Sequence, residues 1–269
     1  MTMLKTSLTG ACLAAALACA APALATPTTT WNLSQNCSQI HGSGSACIDD
    51  GSSHVTTGNE YQWTSGGLHL TGSAYHSSSS SNLGSKDFLG LYSGYGLGVG
   101  DLPAPRHAVD NDIGYDFIVF ELPTGANFDK LQIILSSFGE TEDMNATILY
   151  GTPTAALGIG TSPSVLQFAG LTINNLLNDG FQEKTTTNLL NKSGNQEVDV
   201  MSSSVINYVI VAASLTPGRH EDDYFKVNSI TAIDSPPVGA PEPATLALLG
   251  SGIMGLTVMR RRKAAAAKA

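Results

Sequence analysis

From Tyr115 onward the apolar residues of this chain come in short runs closed by Gly, Pro, Asn or Asp. Tyr115 to Leu122, Lys130 to Ser136, Ala146 to Tyr150, Ile206 to Ala213 and Tyr224 to Ile230 read as strands. Gly67 to Gly72 alternates with period two and reads the same way. Charged residues make up 13% of the 269, against roughly 25% in an average soluble protein. Gly, Ser, Thr and Asn fill the difference, which suits strands and turns better than long exposed helices. With 42% hydrophobic residues the chain can bury a sizeable core. The pattern predicts an all-β fold, a jelly-roll-like β-sandwich over residues 26–233. Residues 26–60 read as an irregular arm, and the glycine-rich stretch 90–114 reads as loops. Ser77 to Ser81 read as an exposed loop. Pro163 to Leu177 read as either a short helix or two weak strands.

The two ends have a different character. Lys5, an apolar run from Leu8 to Ala21, and Ala23-Leu24-Ala25 have the three-part order of a secretory signal peptide, with cleavage expected after Ala25. Residues 234–243 form a Pro-rich linker ending in Pro241-Glu242-Pro243. An uncharged stretch from Ala244 to Met259 follows, then Arg260-Arg261-Arg262-Lys263. As a helix, Ala244 to Met259 would be about 24 Å long, short of the ~30 Å hydrocarbon core. Snorkelling arginines and local thinning cover the difference. A single transmembrane helix within 244–263 is therefore expected. The basic cluster stays cytoplasmic and everything before Pro241 lies outside the inner membrane.

Removing the ends sharpens the charge. The whole chain carries −9. Six of its 13 Lys and Arg, but only one of its 22 Asp and Glu, lie outside residues 26–240. The remaining domain holds 7 basic and 21 acidic residues, a balance of about −14. Such a surface argues against nucleic-acid binding, which needs a basic face. It can attract divalent cations. Cys12 and Cys19 leave with the signal peptide. Cys37 and Cys47 then read as one disulfide of an exported protein. A metal site at Cys37, His41 and Cys47 lacks a fourth ligand at the usual spacing.

Pro241-Glu242-Pro243, the short apolar helix and the terminal arginines together resemble the PEP-CTERM sorting signal of exosortase substrates. The resemblance implies that the tail holds the protein in the membrane until exosortase cuts near Pro241-Glu242-Pro243. The released protein then reaches the cell surface or extracellular matrix of a Gram-negative bacterium. A second resemblance lies inside the domain. Leu97-Gly98-Val99, then His107-Ala108-Val109-Asp110-Asn111, then the strand from Asp116 to Phe120 are similar to a recurring block of exosortase-dependent surface proteins, in which a Gly-Leu-Gly-Val turn precedes a His-x-x-Asp-Asn motif and a strand. Asp223-Tyr224-Phe225-Lys226-Val227 is similar to their final strand. This implies an exported β-rich surface protein.

For chemistry, the densest oxygen-bearing stretch is Asp110-Asn111-Asp112-Ile113-Gly114-Tyr115-Asp116. Asp110, Asp112 and Asp116 form a candidate calcium loop. Glu121 lies where an EF-hand would place its last ligand. Gly114, however, falls at loop position 5 rather than 6, and no flanking helices are visible, so the EF-hand is rejected. The alternative is that Asp110 and Asn111 make Asx-turns feeding the strand. Glu140-Glu142-Asp143 and Glu221-Asp222-Asp223 are two further acidic groups that could converge on the same place. His107 and His220 could act as bases, but there is no Gly-x-Ser-x-Gly or His-Glu-x-x-His motif. Trp31, Trp63, Tyr75, Tyr92 and Tyr95 could stack on sugar rings or pack in the core. The reading is a non-catalytic surface or matrix protein. Its alternatives are a calcium-assisted carbohydrate-binding module, with extracellular polysaccharide as partner, and a polysaccharide hydrolase.

Overall fold

The computed structural model describes residues 28–35, 37–41, 60–92, 94–100, 108–112, 114–123, 128–137, 143–160, 162–186, 189, 193–201, 205–216 and 223–234. These belong to the compact unit Pro27–Ser235. The expected signal peptide, Cys47, His107, His220, the linker from Ser235 and the whole sorting tail lie outside the described residues. Among the described residues no helix is long and apolar enough to cross a membrane.

Two antiparallel sheets form the domain. The first contains β1 (Thr28–Asn32), β6 (Leu89–Tyr92), β7 (Gly96–Val99), β8 (Val109–Asp110), β10 (Phe128–Ser136), β13 (Asn195–Met201) and β15 (Tyr224–Asp234). Its order is β13-β10-β15-β7-β6, with β1 and β8 also paired to β15. The second contains β2 (Cys37–His41), β3 (Glu60–Ser65), β4 (Leu68–Ser77), β5 (Ser85–Asp87), β9 (Tyr115–Glu121), β11 (Ala146–Gly151), β12 (Gln182–Thr185) and β14 (Tyr208–Ala213). Its order is β12-β11-β14-β9-β4-β3-β2, with β5 paired to β4. From β8 to β11 and again from β12 to β15, successive strands change sheet, so the core closes through contacts distant in sequence.

The period-two rule explains how the two sheets meet. On β9, Ile118 and Phe120 point one way, and Phe117 and Val119 the other. Ile118 and Phe120 join Leu97, Leu131, Ile133, Phe225 and Val227 of the first sheet in one buried cluster between the sheets. Phe117 and Val119 join a second cluster on the far face of the second sheet. That face is covered by the segment after β11. Val165 and Phe168 come from a 3₁₀ turn and the residue closing it, Leu176 comes from helix α1 (Ile173–Asn178), and Phe181 follows that helix. Both starts are capped. Ser164 and Thr172 each accept a main-chain N–H, and Gln167 and Asn175 reach back to them. This explains the continuous apolar runs of β9 and β14: both strands are buried on both faces.

The five strands expected after Tyr115 are present as β9, β10, β11, β14 and β15. Two expectations are corrected. The arm 26–60 contains β1 and β2, and Trp31 of β1 is 1% exposed, packed edge-on against Phe128. The glycine-rich stretch 90–114 contains strands β6 to β8. Glycine there marks close backbone approach, not a break. A Cβ on Gly96 would lie 2.3 Å from the Val227 carbonyl oxygen of the neighbouring strand, and its φ of +115° also disfavours a side chain. Pro163 to Leu177 form a 3₁₀ turn and a helix, so the helical alternative holds.

Candidate cation site

At the rim of the sandwich, three strands of the second sheet bring acidic and imidazole groups together. His76, near the end of β4, lies directly opposite Asp116 of β9. Ala74, two residues back on the same face, lies opposite Asp87 of β5. Ala74 and Ile118 belong to the core between the sheets. His76, Asp87 and Asp116 therefore sit on the inner face, just past the last apolar layer. One ligand atom from each lies within 4.8 Å of the others, the only such group of His, Cys, Asp or Glu side chains among the described residues.

The geometry around Asp116 is specific. His76 Nδ1 lies 2.9 Å from Asp116 Oδ1. The Asp110 amide, on β8 of the opposite sheet, donates to Asp116 Oδ2 at 3.3 Å. Asp116 is 5% exposed, and no lysine or arginine pairs with it among the described residues. Asp87 accepts the Phe88 N–H through Oδ1 at 2.7 Å. Gly114 backs the imidazole. A Cβ there would meet His76 Cε1 at 2.4 Å and the Ser77 carbonyl at 2.7 Å. The charges follow the burial. Hydrogen bonding to Asp116 raises the His76 pKa. Burial raises that of Asp116, outweighing the imidazole beside it. Burial, then repulsion from Asp116, pushes Asp110 up to about 7.

Of the expected calcium loop, the structure brings Asp110 and Asp116 into contact but leaves Asp112 exposed. Asp112 N–H donates to Asp110 Oδ1 at 3.3 Å, the Asx-turn contact that was the alternative reading. Asp116 turns to His76 and Asp87 instead. Glu121 ends β9 six residues along an extended strand, which agrees with rejecting an EF-hand.

Next to this cluster lies a second polar group. Asn111 Nδ2 donates to the Ser214 carbonyl and to Asp223 Oδ2, both at 3.1 Å, and Asn111 Oδ1 accepts the Asp223 N–H at 2.9 Å. Asp223 Oδ1 accepts the Asn145 N–H at 2.9 Å. Asp223 is 1% exposed, and burial pushes its pKa up to about 6. Asp143 and Asp223 form an isolated parallel bridge, so parts of all three acidic stretches do converge. Their buried carboxylate is spent on main-chain and amide donors. Glu140, Glu142, Glu221 and Asp222 lie outside the described residues.

The aromatic candidates divide. Trp31, Trp63 and Tyr75 are core residues, none more than 1% exposed. The Tyr75 hydroxyl donates to the Val165 carbonyl and accepts the Phe168 N–H. The Tyr92 ring lies over the buried Lys226, with Nζ 3.3 Å from its centroid. Tyr95 is exposed. Sequence reasoning missed His76 and Asp87. A histidine closing an alternating strand was the available signal, but its partners lie 40 and 11 residues away.

Neither the comparison with curated proteins nor that with solved structures gives a match. The scan of family models does: residues 240–263 match the PEP-CTERM protein-sorting motif. The match covers Pro241-Glu242-Pro243, the apolar stretch and the arginines, and it marks the chain as an exported protein carrying the sorting tail of an exosortase substrate.

Proposed function

We propose that this is a non-catalytic protein of the cell surface or extracellular matrix of a Gram-negative bacterium, a jelly-roll-like sandwich delivered through its C-terminal tail. The single observation that carries the reading is the sorting motif at 240–263, placed directly after a compact β domain ending at Ser235. In this reading the signal peptide is removed after Ala25. The stretch Ala244 to Met259 then spans the inner membrane, with Arg260, Arg261 and Arg262 on the cytoplasmic side. Exosortase is the processing partner, cutting near Pro241-Glu242-Pro243. Cys37 and Cys47 close a disulfide in the oxidising compartment. Extracellular polysaccharide is the natural neighbour of the released domain.

The non-catalytic part is supported by where the polar groups are spent. Asn111, Asp223, Asn145, Tyr75 and Tyr208 bond main-chain groups and each other, tying strands and covering segments together. Replacing Pro241-Glu242-Pro243 by three alanines is expected to leave the protein at full length in the membrane fraction. Fractionation and intact-mass measurement of the wild type and the variant test it. Unchanged release at unchanged mass would sink the reading.

A further inference from the structure

We propose that His76, Asp87 and Asp116 form a binding site for one first-row divalent metal ion, zinc foremost, at the rim of the sandwich. The inference is independent of the sorting tail. The first ground is convergence. The three groups come from β4, β5 and β9, and the antiparallel registers place His76 opposite Asp116 and Asp87 opposite Ala74, two residues from His76. Their ligand atoms fall within 4.8 Å of one another. Two ligands of one ion with bonds of about 2.0–2.2 Å sit roughly 3–4 Å apart, so the group needs little adjustment to close on a metal.

The second ground is uncompensated charge. Asp116 is nine-tenths buried and, among the described residues, is met by an imidazole and one amide, not by a lysine or arginine. Among the described residues Asp87 receives only the Phe88 N–H. Asp110 packs against Asp116 from the opposite sheet. A buried carboxylate among other carboxylates is costly unless a cation joins it. The third ground is orientation. The Asp110 amide holds Asp116 Oδ2, as hydrogen bonds to metal-bound carboxylates commonly do. Gly114 keeps room for the His76 ring, since a side chain there would strike Cε1 at 2.4 Å.

The donor set chooses the metal. One imidazole nitrogen and two carboxylates suit zinc and its first-row neighbours, whereas calcium takes oxygen ligands. Three protein ligands leave a fourth position, and the half-exposed edge of His76 opens it to solvent. The ion would pin β5 to the β4–β9 pair.

The test uses the full chain in detergent, stripped with a chelator and then given zinc, cobalt or calcium chloride. A ligand that binds only the folded state raises its melting temperature. Zinc is expected to raise it by several degrees, and cobalt to give visible absorption bands of a low-coordinate site at one ion per chain. Both effects should vanish in Asp87→Asn and His76→Ala, and persist in Asp112→Asn, whose side chain is exposed. If a variant fails to fold, the wild-type stoichiometry and cobalt spectrum still decide. Absence of a zinc shift and of cobalt bands in the wild type overturns the site. So does a zinc shift of equal size in folded Asp87→Asn. A shift given by calcium alone and lost in Asp112→Asn overturns it too, and moves binding to the aspartate loop.

Discussion

Strand β9 begins and ends its buried stretch under different physics. From Phe117 to Phe120 it is buried on both faces among apolar side chains. One residue earlier, Asp116 is also buried, at 5% exposure, but among His76, Asp87 and the Asp110 amide. The apolar part is held by area and by fit, which many combinations of side chains could supply. The polar corner is held by direction and charge. There each donor has a particular acceptor, and losing one leaves the other unsatisfied in a dry place. The corner also carries the cross-sheet connection. Asn111 joins the segment after β8 to the start of β15 and to the end of β14 through Asp223 and Ser214.

This contrast can be broken or sharpened by measurement. The largest effect is expected in the apolar part. Phe120→Ala should cost about 3–5 kcal/mol, because the ring is fully buried between Trp63 and the Gly72 backbone and leaves a cavity that cannot collapse. Urea unfolding of both proteins gives the number, and a cost below 1 kcal/mol would mean that the two sheets are not packed on this ring. Asn111→Ala should cost about 2–3 kcal/mol, since it strips a buried carboxylate of one partner and frees an amide and a carbonyl together. The same titration tests it. A cost as small as that of an exposed residue would remove the distinction between corner and core.

The finest test is the response to pH. Asp223 has a folded pKa pushed up to about 6, above the 3.8 of an unburied aspartate. Its ionisation is therefore harder in the folded state than in the unfolded one. Below about pH 4 both states are protonated and nothing is lost. As pH rises from about 4 to 6 the unfolded state releases its proton first, so stability falls, and above that it levels off. The expected observation is a urea midpoint that declines between pH 4 and 6, with the decline shallower in Asp223→Ala. A midpoint that rises through this range with the same slope in both proteins would show that Asp223 is not desolvated.

Legibility followed the same divide. β9, β10, β11, β14 and β15 announce themselves because strands buried on one or both faces need apolar runs or alternation whatever their partners. β1, β3, β6 and β7 did not, since Thr, Ser, Gly and Tyr make them look like turns until the neighbours that bury them are known. The aspartates of 110–116 stand out as a cluster. That Asp116 would be claimed by His76 and Asp87, and Asn111 by Asp223, depends on strand register, which no local pattern contains.

The sequence by itself determined the address and the material of this protein. A sorting tail is read as a linear string of a tripeptide, an apolar stretch and a basic cluster, so it needs no fold to be recognised. The β character likewise follows from short-range periodicity, because each strand's alternation reflects only its own geometry. Only the tertiary structure decided which acidic groups meet, which aromatics are core, and where glycine is obligatory. Those outcomes come mostly from pairings between residues far apart in the chain, 40 positions for His76 and Asp116 and 112 for Asn111 and Asp223.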